Sequence, residues 1–261
     1  MYRKSIATLL FASLAAIPGT ASADDSFDFI NPDGDIYFWN VRTGSLFKRG
    51  TTGRSDWQDV GVVASGRTLE YTSQAYSFDL VGSVEMSDDI VAAGTIWWNF
   101  GGRELTAGVQ LADGSYHLLD LSDENNAVEI GVIPRIPRNG VISDLLYNRD
   151  RDRFYLLDTA NDRMLHYDAT TLEMVGAAAF SADLGPGATM VIGIQDDRVL
   201  IGNDATTGLI YERGMGGSAT RVYGDISQVG GAIGAFQLPS PGVLTVFAAA
   251  GYLGTRRRRD H

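Results

Sequence analysis

The sequence predicts an all-β body, a β-propeller of four-stranded blades, five in number, flanked by an N-terminal signal helix and a C-terminal apolar sorting helix. Three observations predict it. First, five segments share an apolar or aromatic residue one place before a polar pivot and a matching residue three places before it: Tyr37–Asn40, Tyr76–Asp79, His117–Asp120, Leu165–Asp168 and Leu209–Glu212, with His117 taking the apolar place in the third. Alternation at a period of two is the pattern of a half-buried strand. Second, the pivots recur at intervals of 39, 41, 48 and 44 residues. Third, short strand-like runs separated by turn residues fill each interval, four to a period, as they do in a propeller blade. Five such periods account for the 215 residues from Asp24 to Leu238, and no long segment there has helical periodicity.

Taken in order, the first period supplies strands at 27–30, 35–39 and 45–48 and lacks an innermost one. The second is the least regular, because Ser55 to Gly66 does not alternate; its later strands are expected around Tyr76–Asp79 and Val84–Met86. The third places strands at His117–Asp120 and Ala127–Ile130. The fourth is the clearest. Val141–Tyr147, Arg153–Asp158, Met164–Tyr167 and Leu172–Ala177 form four strands, and a charged turn at Arg149–Asp152 joins the first two. The fifth repeats the plan at 190–194, 198–202, 209–211 and 220–223. Ala232–Phe236 is a further strand, and pairing it with Phe27–Ile30 would complete the first blade and leave no open edge between first and last. Six or seven smaller blades, or an irregular sandwich, are the competing arrangements.

Both ends of the chain have a different character. Arg3 and Lys4 precede an apolar run from Ser5 to Ile17, followed by Ala21-Ser22-Ala23 ahead of two aspartates. A positive stretch, an apolar stretch and a small-residue site form a secretory signal peptide, so residues 1–23 are expected to be removed by signal peptidase after Ala23, with Ala21 and Ala23 as the cleavage-site residues. At the other end, Pro239, Ser240 and Pro241 precede an apolar run from Val243 to Gly254 and four arginines, Arg256, Arg257, Arg258 and Arg259. As a helix, residues 243–255 span roughly 20 Å of a roughly 30 Å hydrocarbon layer, enough for transient membrane contact with the arginines on the cytoplasmic side.

Residues 239–261 resemble the PEP-CTERM sorting signal of bacteria: a Pro-x-Pro motif, an apolar helix and a terminal arginine cluster. Ser240 stands where the commonest form has Glu, and Asp260 and His261 trail the cluster. The resemblance covers under a tenth of the chain. It implies recognition by an exosortase, a membrane-embedded cysteine protease that removes the tail and releases or attaches the body at the cell envelope.

Composition narrows the chemistry of the intervening domain, residues 24–238. The chain has no cysteine, so neither a disulfide nor a thiolate nucleophile is available. Setting aside Arg3, Lys4, the four tail arginines and Asp260 leaves 15 basic against 31 acidic residues. That field repels nucleic acid and anionic lipid headgroups. Of three histidines, His261 lies in the tail, while His117 and His166 fall in different blades at positions facing opposite sides of their sheets. Neither a zinc site nor a Ser-His-Asp arrangement is expected from that spacing. Asn31-Pro32-Asp33-Gly34-Asp35 and the alternating acids from Asn148 to Asp152 place oxygens as calcium loops do, but neither has the glycine and terminal glutamate of such a loop, so both read as hairpin turns. Trp97 and Trp98 are neighbours on a strand and face opposite ways, so they form no joint platform for a sugar.

Asp144 is the most unusual acid, because it interrupts an apolar strand that should line the central channel; a hydrogen bond to a neighbouring blade is its expected role. No catalytic residue, cofactor or metal is expected. The reading is an exported, non-enzymatic surface or extracellular-matrix protein whose partners are signal peptidase, the exosortase-like protease and an extracellular polysaccharide, with no nucleic acid. The alternative is an envelope polysaccharide hydrolase or lyase, or a glycan-binding propeller. Carboxylates or aromatics clustered at one mouth of the ring would favour the alternative.

Overall fold

The computed structural model describes residues 26–40, 43–72, 78–97, 105–149, 151–192, 198–202, 208–214 and 221–236. Within them the chain forms nineteen strands and three single 3-10 turns, and no helix is long and apolar enough to cross a membrane. The segments expected to act as signal and sorting sequences, including Ala21, Ala23, Pro239 to Pro241 and Arg256 to Arg259, lie outside the described residues, as do their expected helices.

Every sheet is antiparallel. The first orders its strands β19 (Gly234–Phe236), β1 (Ser26–Ile30), β2 (Asp35–Asn40), β3 (Leu46–Thr51). The second has β4 (Val62–Ser65), β5 (Thr68–Tyr71) and β6 (Gly82–Glu85). The third runs β7 (Ile90–Trp97), β8 (Leu105–Leu111), β9 (Tyr116–Asp120), β10 (Val128–Ile133). The fourth is β11 (Ile142–Asn148), β12 (Arg153–Asp158), β13 (Arg163–Asp168), β14 (Met174–Ala179), and the fifth β15 (Thr189–Ile192), β16 (Arg198–Gly202), β17 (Leu209–Gly214), β18 (Arg221–Asp225). Within each sheet strands consecutive in the chain pair with one another, and β19 returns from the end of the body to pair with β1, with Phe29 opposite Ala235.

The polar pivots end strands rather than fill them. The Asp168 side chain accepts hydrogen bonds from the Thr170 and Thr171 backbone N–H groups at 3.0 and 2.9 Å. Asp120 accepts one from Ser122, and Asn40 one from Thr43. Asp and Asn close such turns because their short side chains reach back to the backbone two or three residues on. The two calcium-like loops are hairpin turns of the same kind: Asn31 Oδ1 accepts from the backbones of Asp33 and Asp35, and Asn148 Oδ1 from Arg151. In four sheets a register shift falls between the third and fourth strands. A bulge there twists the outermost strand and makes it a poorer template for another chain.

Two sequence expectations are corrected. Of the strand expected at Tyr76–Asp79, the two described residues, Phe78 and Asp79, belong to no strand. They lie in a loop, and β6 takes the third place; among the described residues this sheet has three strands, not four. Phe78 adopts φ 52° and sets its ring edge-on to Trp57, 6.0 Å between centroids, and that backbone cannot continue a strand. Likewise β14 starts at Met174, because Leu172 turns at φ 56° and drives its side chain into the space over Gly131 of the preceding sheet.

The apolar side chains divide into five clusters, and each cluster lies between two successive sheets. Ile30, Trp57, Val60 and Val63 join the first to the second, and Tyr71, Met86, Ala93 and Val109 belong to the cluster joining second to third. Ile96, Leu118, Leu145 and Phe154 join third to fourth, and Leu146, Tyr155, Met190 and Tyr211 fourth to fifth. Phe27, Phe29, Trp39, Ile210 and Ala235 join the fifth back to the first. Two hydrogen bonds reinforce the closure there: Ile233 N–H donates to Ile30 O at 2.9 Å beside the β19–β1 pair, and the Asn31 side-chain Nδ2 donates to Val229 O at 2.8 Å. Sheet packing on sheet in sequence order, last against first, is the arrangement that buries both faces of every sheet.

Candidate functional site

The innermost strands β19, β4, β7, β11 and β15 meet at the middle of the body, and polar side chains face one another there. Asp59, at the entry to β4, is fully buried. Its Oδ2 accepts from the backbone N–H and the hydroxyl of Thr95 on β7, at 2.6 and 2.9 Å, and its Oδ1 from Val60 N–H at 2.7 Å. Asp144, on β11, repeats the plan one sheet further on. Its Oδ2 accepts from Thr189 Oγ1 at 2.7 Å and Met190 N–H at 2.6 Å on β15, and its Oδ1 from Leu145 N–H at 2.7 Å. Thr189 Oγ1 in turn accepts from Ala235 N–H on β19 at 2.9 Å. Two polar groups therefore tie the sheets at the centre: one joins the second sheet to the third, and the other joins the fourth to the fifth and to β19 of the first.

Burial in the low-dielectric interior pushes both carboxyls up. Asp144 reaches about 7, its desolvation partly offset by the donors from Met190, Thr189 and Leu145. Asp59 lies well above the carboxylate range, where the Asp144 charge adds to desolvation. The phenol of Tyr116 on β9 is raised by burial and by both carboxyls.

Small residues let the strands converge. A Cβ on Gly94 would stand 2.6 Å from Asp144 Cα and 2.9 Å from Leu145 N, and one on Gly234 would stand 2.4 Å from Asp59 Oδ1. Gly94→Ala is therefore expected to destabilise by about 1–3 kcal/mol, since backbone cannot retreat as a side chain can. Thermal unfolding checks it; an unchanged midpoint would show that β7 and β11 do not press together at that point.

A second constellation lies at the third sheet. Ser115 Oγ is 3.0 Å from His117 Nε2, and His117 Nδ1 is 2.7 Å from Glu129 Oε2 on β10. The order hydroxyl–imidazole–carboxylate matches a nucleophilic relay. The hydroxyl proton, however, goes to Asp113 Oδ1 at 2.6 Å, so Ser115 Oγ faces the imidazole as an acceptor. Ser115 is 7 % exposed, and its backbone N–H is also taken by Asp113. With the proton, the access and the nearest oxyanion donor all committed, the group holds the β8–β9 turn against the outer strand β10 instead of activating a nucleophile.

The structure brings together what spacing along the chain kept apart. Asp144 meets the neighbouring sheet, as its position in an apolar strand suggested. Sequence reasoning missed Asp59, which falls in the stretch without alternation; its one signal is that it precedes Asp144 by 85 residues, close to two repeats. It also missed the convergence of Ser115, His117 and Glu129, although alternate positions on one strand share a face. His166 stays apart, edge-on to the Tyr155 ring at 4.7 Å. Trp98 lies outside the described residues, and β7 ends at Trp97. Among the described residues no group of three or more histidine or acidic side chains is placed to hold a metal ion.

No family model and no curated protein matches this chain. Solved structures do. The β-propeller domain of Cps50 (Swd1) from Myceliophteria thermophila is 14 % identical over 72 % of this chain and 61 % of that one, with a TM-score of 0.41. Sqt1 of Saccharomyces cerevisiae is 10 % identical over 78 % and 59 %, with a TM-score of 0.45. Hydrazine synthase of Kuenenia stuttgartiensis is 13 % identical over 81 % and 52 %, with a TM-score of 0.42. The chain spans about half to three fifths of the length of these structures. The fold is β-propeller-like. That description rests on the chain's own order of sheets and on the five apolar seams between them, and fold alone names no activity.

Proposed function

We propose that this chain is an exported, non-enzymatic component of the cell surface or extracellular matrix, carried out by residues 1–23 and sorted at the envelope through residues 239–261 by an exosortase-like membrane protease. The observation that carries this reading is the order of features at the C-terminus: Pro239-Ser240-Pro241, an apolar run, then Arg256 to Arg259. The body, residues 24–238, acts in this reading as a closed five-bladed propeller whose first blade draws its innermost strand from the C-terminal end. Its polar chemistry supports a scaffold over a hydrolase. The carboxyls that converge at the centre are fully buried and spend their acceptor positions on neighbouring sheets, and the Ser115 hydroxyl is committed to Asp113.

Mass spectrometry of secreted material tests the proposal. The mature chain should begin near Asp24 and lack the Arg256–Arg259 cluster. Replacing Pro239 and Pro241 with alanine should leave the tail attached and the protein in the membrane fraction. Mature extracellular protein carrying an intact tail would overturn the sorting step.

A further inference from the structure

We propose that the connection between β10 and β11, residues 134–140, binds the carboxylates of an acidic polysaccharide through Arg135 and Arg138. This rests on the reading of the chain as a matrix protein and names the class of its extracellular partner. Backbone strain is the first observation. Arg138 has φ 58° and ψ 29°, Asn139 has φ 50°, and Gly140 N–H donates to Pro137 O at 3.2 Å. Two positive-φ residues inside such a hydrogen bond give a turn of type I′ character, whose central places favour glycine, asparagine and aspartate. Asn139 suits its place. Arg138 does not, because in the left-handed region its Cβ crowds the following carbonyl. Folding alone would be served better by asparagine there, so a strained and exposed arginine points to recognition.

The surroundings hold that turn in place. Ile136 is buried, and its N–H donates to Gly114 O at 3.0 Å. Arg163 Nη2, from β13, donates to Pro137 O at 2.6 Å, and Gln110 Nε2, from β8, to Gly140 O at 2.7 Å. The Asp158 carboxyl fills the space where a Cβ on Gly140 would stand. The backbone is thus tied to the third and fourth sheets, while the side chains of Arg135 and Arg138 are left exposed. A site fixed in advance loses less freedom when a ligand arrives.

Charge decides the ligand. No acidic residue lies between Glu129 and Asp144, in a body that holds 31 acids against 15 bases. Arg54, Arg67 and Arg163 each face a carboxylate, but among the described residues neither Arg135 nor Arg138 forms an ion pair. Arg135 Nη2 donates to Asn139 Oδ1 at 3.2 Å, which leaves Asn139 Nδ2 to donate to a sugar hydroxyl. In the adjoining β8–β9 turn, Asp113 Oδ1 already takes the Ser115 N–H and hydroxyl. A guanidinium fork matches a carboxylate two bonds at a time. Two such forks in an acidic body suit a ligand of sparse charge, and a uronate chain spaces its carboxylates with neutral hydroxyls. Nucleic acid, at one charge per about 1.7 Å of duplex, is repelled by the surrounding acids.

The test is titration of the full-length protein with polygalacturonate, alongside neutral dextran, single-stranded DNA and polyglutamate. Polygalacturonate should bind, more weakly as salt rises, and dextran should not. Arg135→Gln/Arg138→Gln should lose about tenfold or more in affinity at an unchanged unfolding midpoint. Arg138→Asn separates recognition from architecture: it should raise the midpoint by relieving the turn and weaken binding in the same protein. A lowered midpoint in Arg138→Asn, equal affinities in wild type and double variant, or tighter binding of DNA or polyglutamate than of polygalacturonate would overturn the site. The sorting step is scored separately, by the mass of the secreted chain. A correctly processed chain that ignores polygalacturonate sinks this site alone, and an extracellular chain that binds it with the tail intact sinks the sorting step alone.

Discussion

Asp158→Ala should destabilise the body by about 3–5 kcal/mol, read as a shift of the urea midpoint with unchanged slope. Asp158 sits at the end of β12, fully buried. Its Oδ2 accepts from Arg163 Nε at 2.6 Å and its Oδ1 from Val141 N–H at 3.1 Å, while Asn161 Nδ2 reaches both oxygens. The carboxylate occupies the space that a Cβ on Gly140 would need. Alanine would leave the Arg163 guanidinium buried, with Pro137 O at 2.6 Å as its partner on the other side, and strand the Val141 N–H. An unpaired buried charge is the costly product, more than the lost attraction itself. The contrast is Lys48–Asp35, equally short at 2.6 Å but with the lysine half exposed. Solvent screens that pair, and Asp35→Ala should hardly move the midpoint. A midpoint for Asp158→Ala as close to wild type as that of Asp35→Ala would show that Asp158 and Arg163 are hydrated in solution.

Phe27→Ala should cost about 3–5 kcal/mol, the range for removing a buried phenylalanine. Phe27 is fully buried at the seam between last and first sheets, its ring tilted 34° to that of Phe29 at 5.5 Å, and it covers Gly202 so closely that a Cβ there would come within 2.5 Å of it. Here the position matters as much as the area. In the other sheets consecutive chain joins each strand to its neighbour, whereas here β1 and β19 come from opposite ends of the body and are held together by their own pairing, by packing and by a few hydrogen bonds. Truncation should therefore also speed hydrogen exchange at the β1 and β19 amides more than at β12. Uniform acceleration across all sheets would mean that the seam opens only with global unfolding.

The repeat was legible because it is written in local chemistry. Alternation marks Leu165–Asp168 and His117–Asp120 as strands, and the terminal polar residue of each closes the next turn with its own side chain. The closing strand was legible too, since a first period without its innermost strand and a spare one at 232–236 leave one pairing that removes both edges. What failed in the second period failed for a tertiary reason. Phe78 has the right type and spacing for a strand, and Trp57, twenty-one residues away, draws its ring out of the sheet. Leu172 is displaced in the same way by the open space over Gly131.

By itself the sequence determined that this body is built of short strands in a repeating order, acidic and without cysteine. These properties depend on residue type and on neighbours within a few positions, so one-dimensional spacing records them. Only the tertiary structure decided that Asp59 and Asp144 bond neighbouring sheets through Thr95, Thr189 and Met190, that Ser115 gives its hydrogen to Asp113 rather than to a base, and that Phe27 packs over Gly202 between the last and first sheets. Each of those outcomes turns on a few ångströms between groups from different strands, and most join residues dozens of positions apart. The packing of whole sheets sets such distances, and no local pattern encodes them.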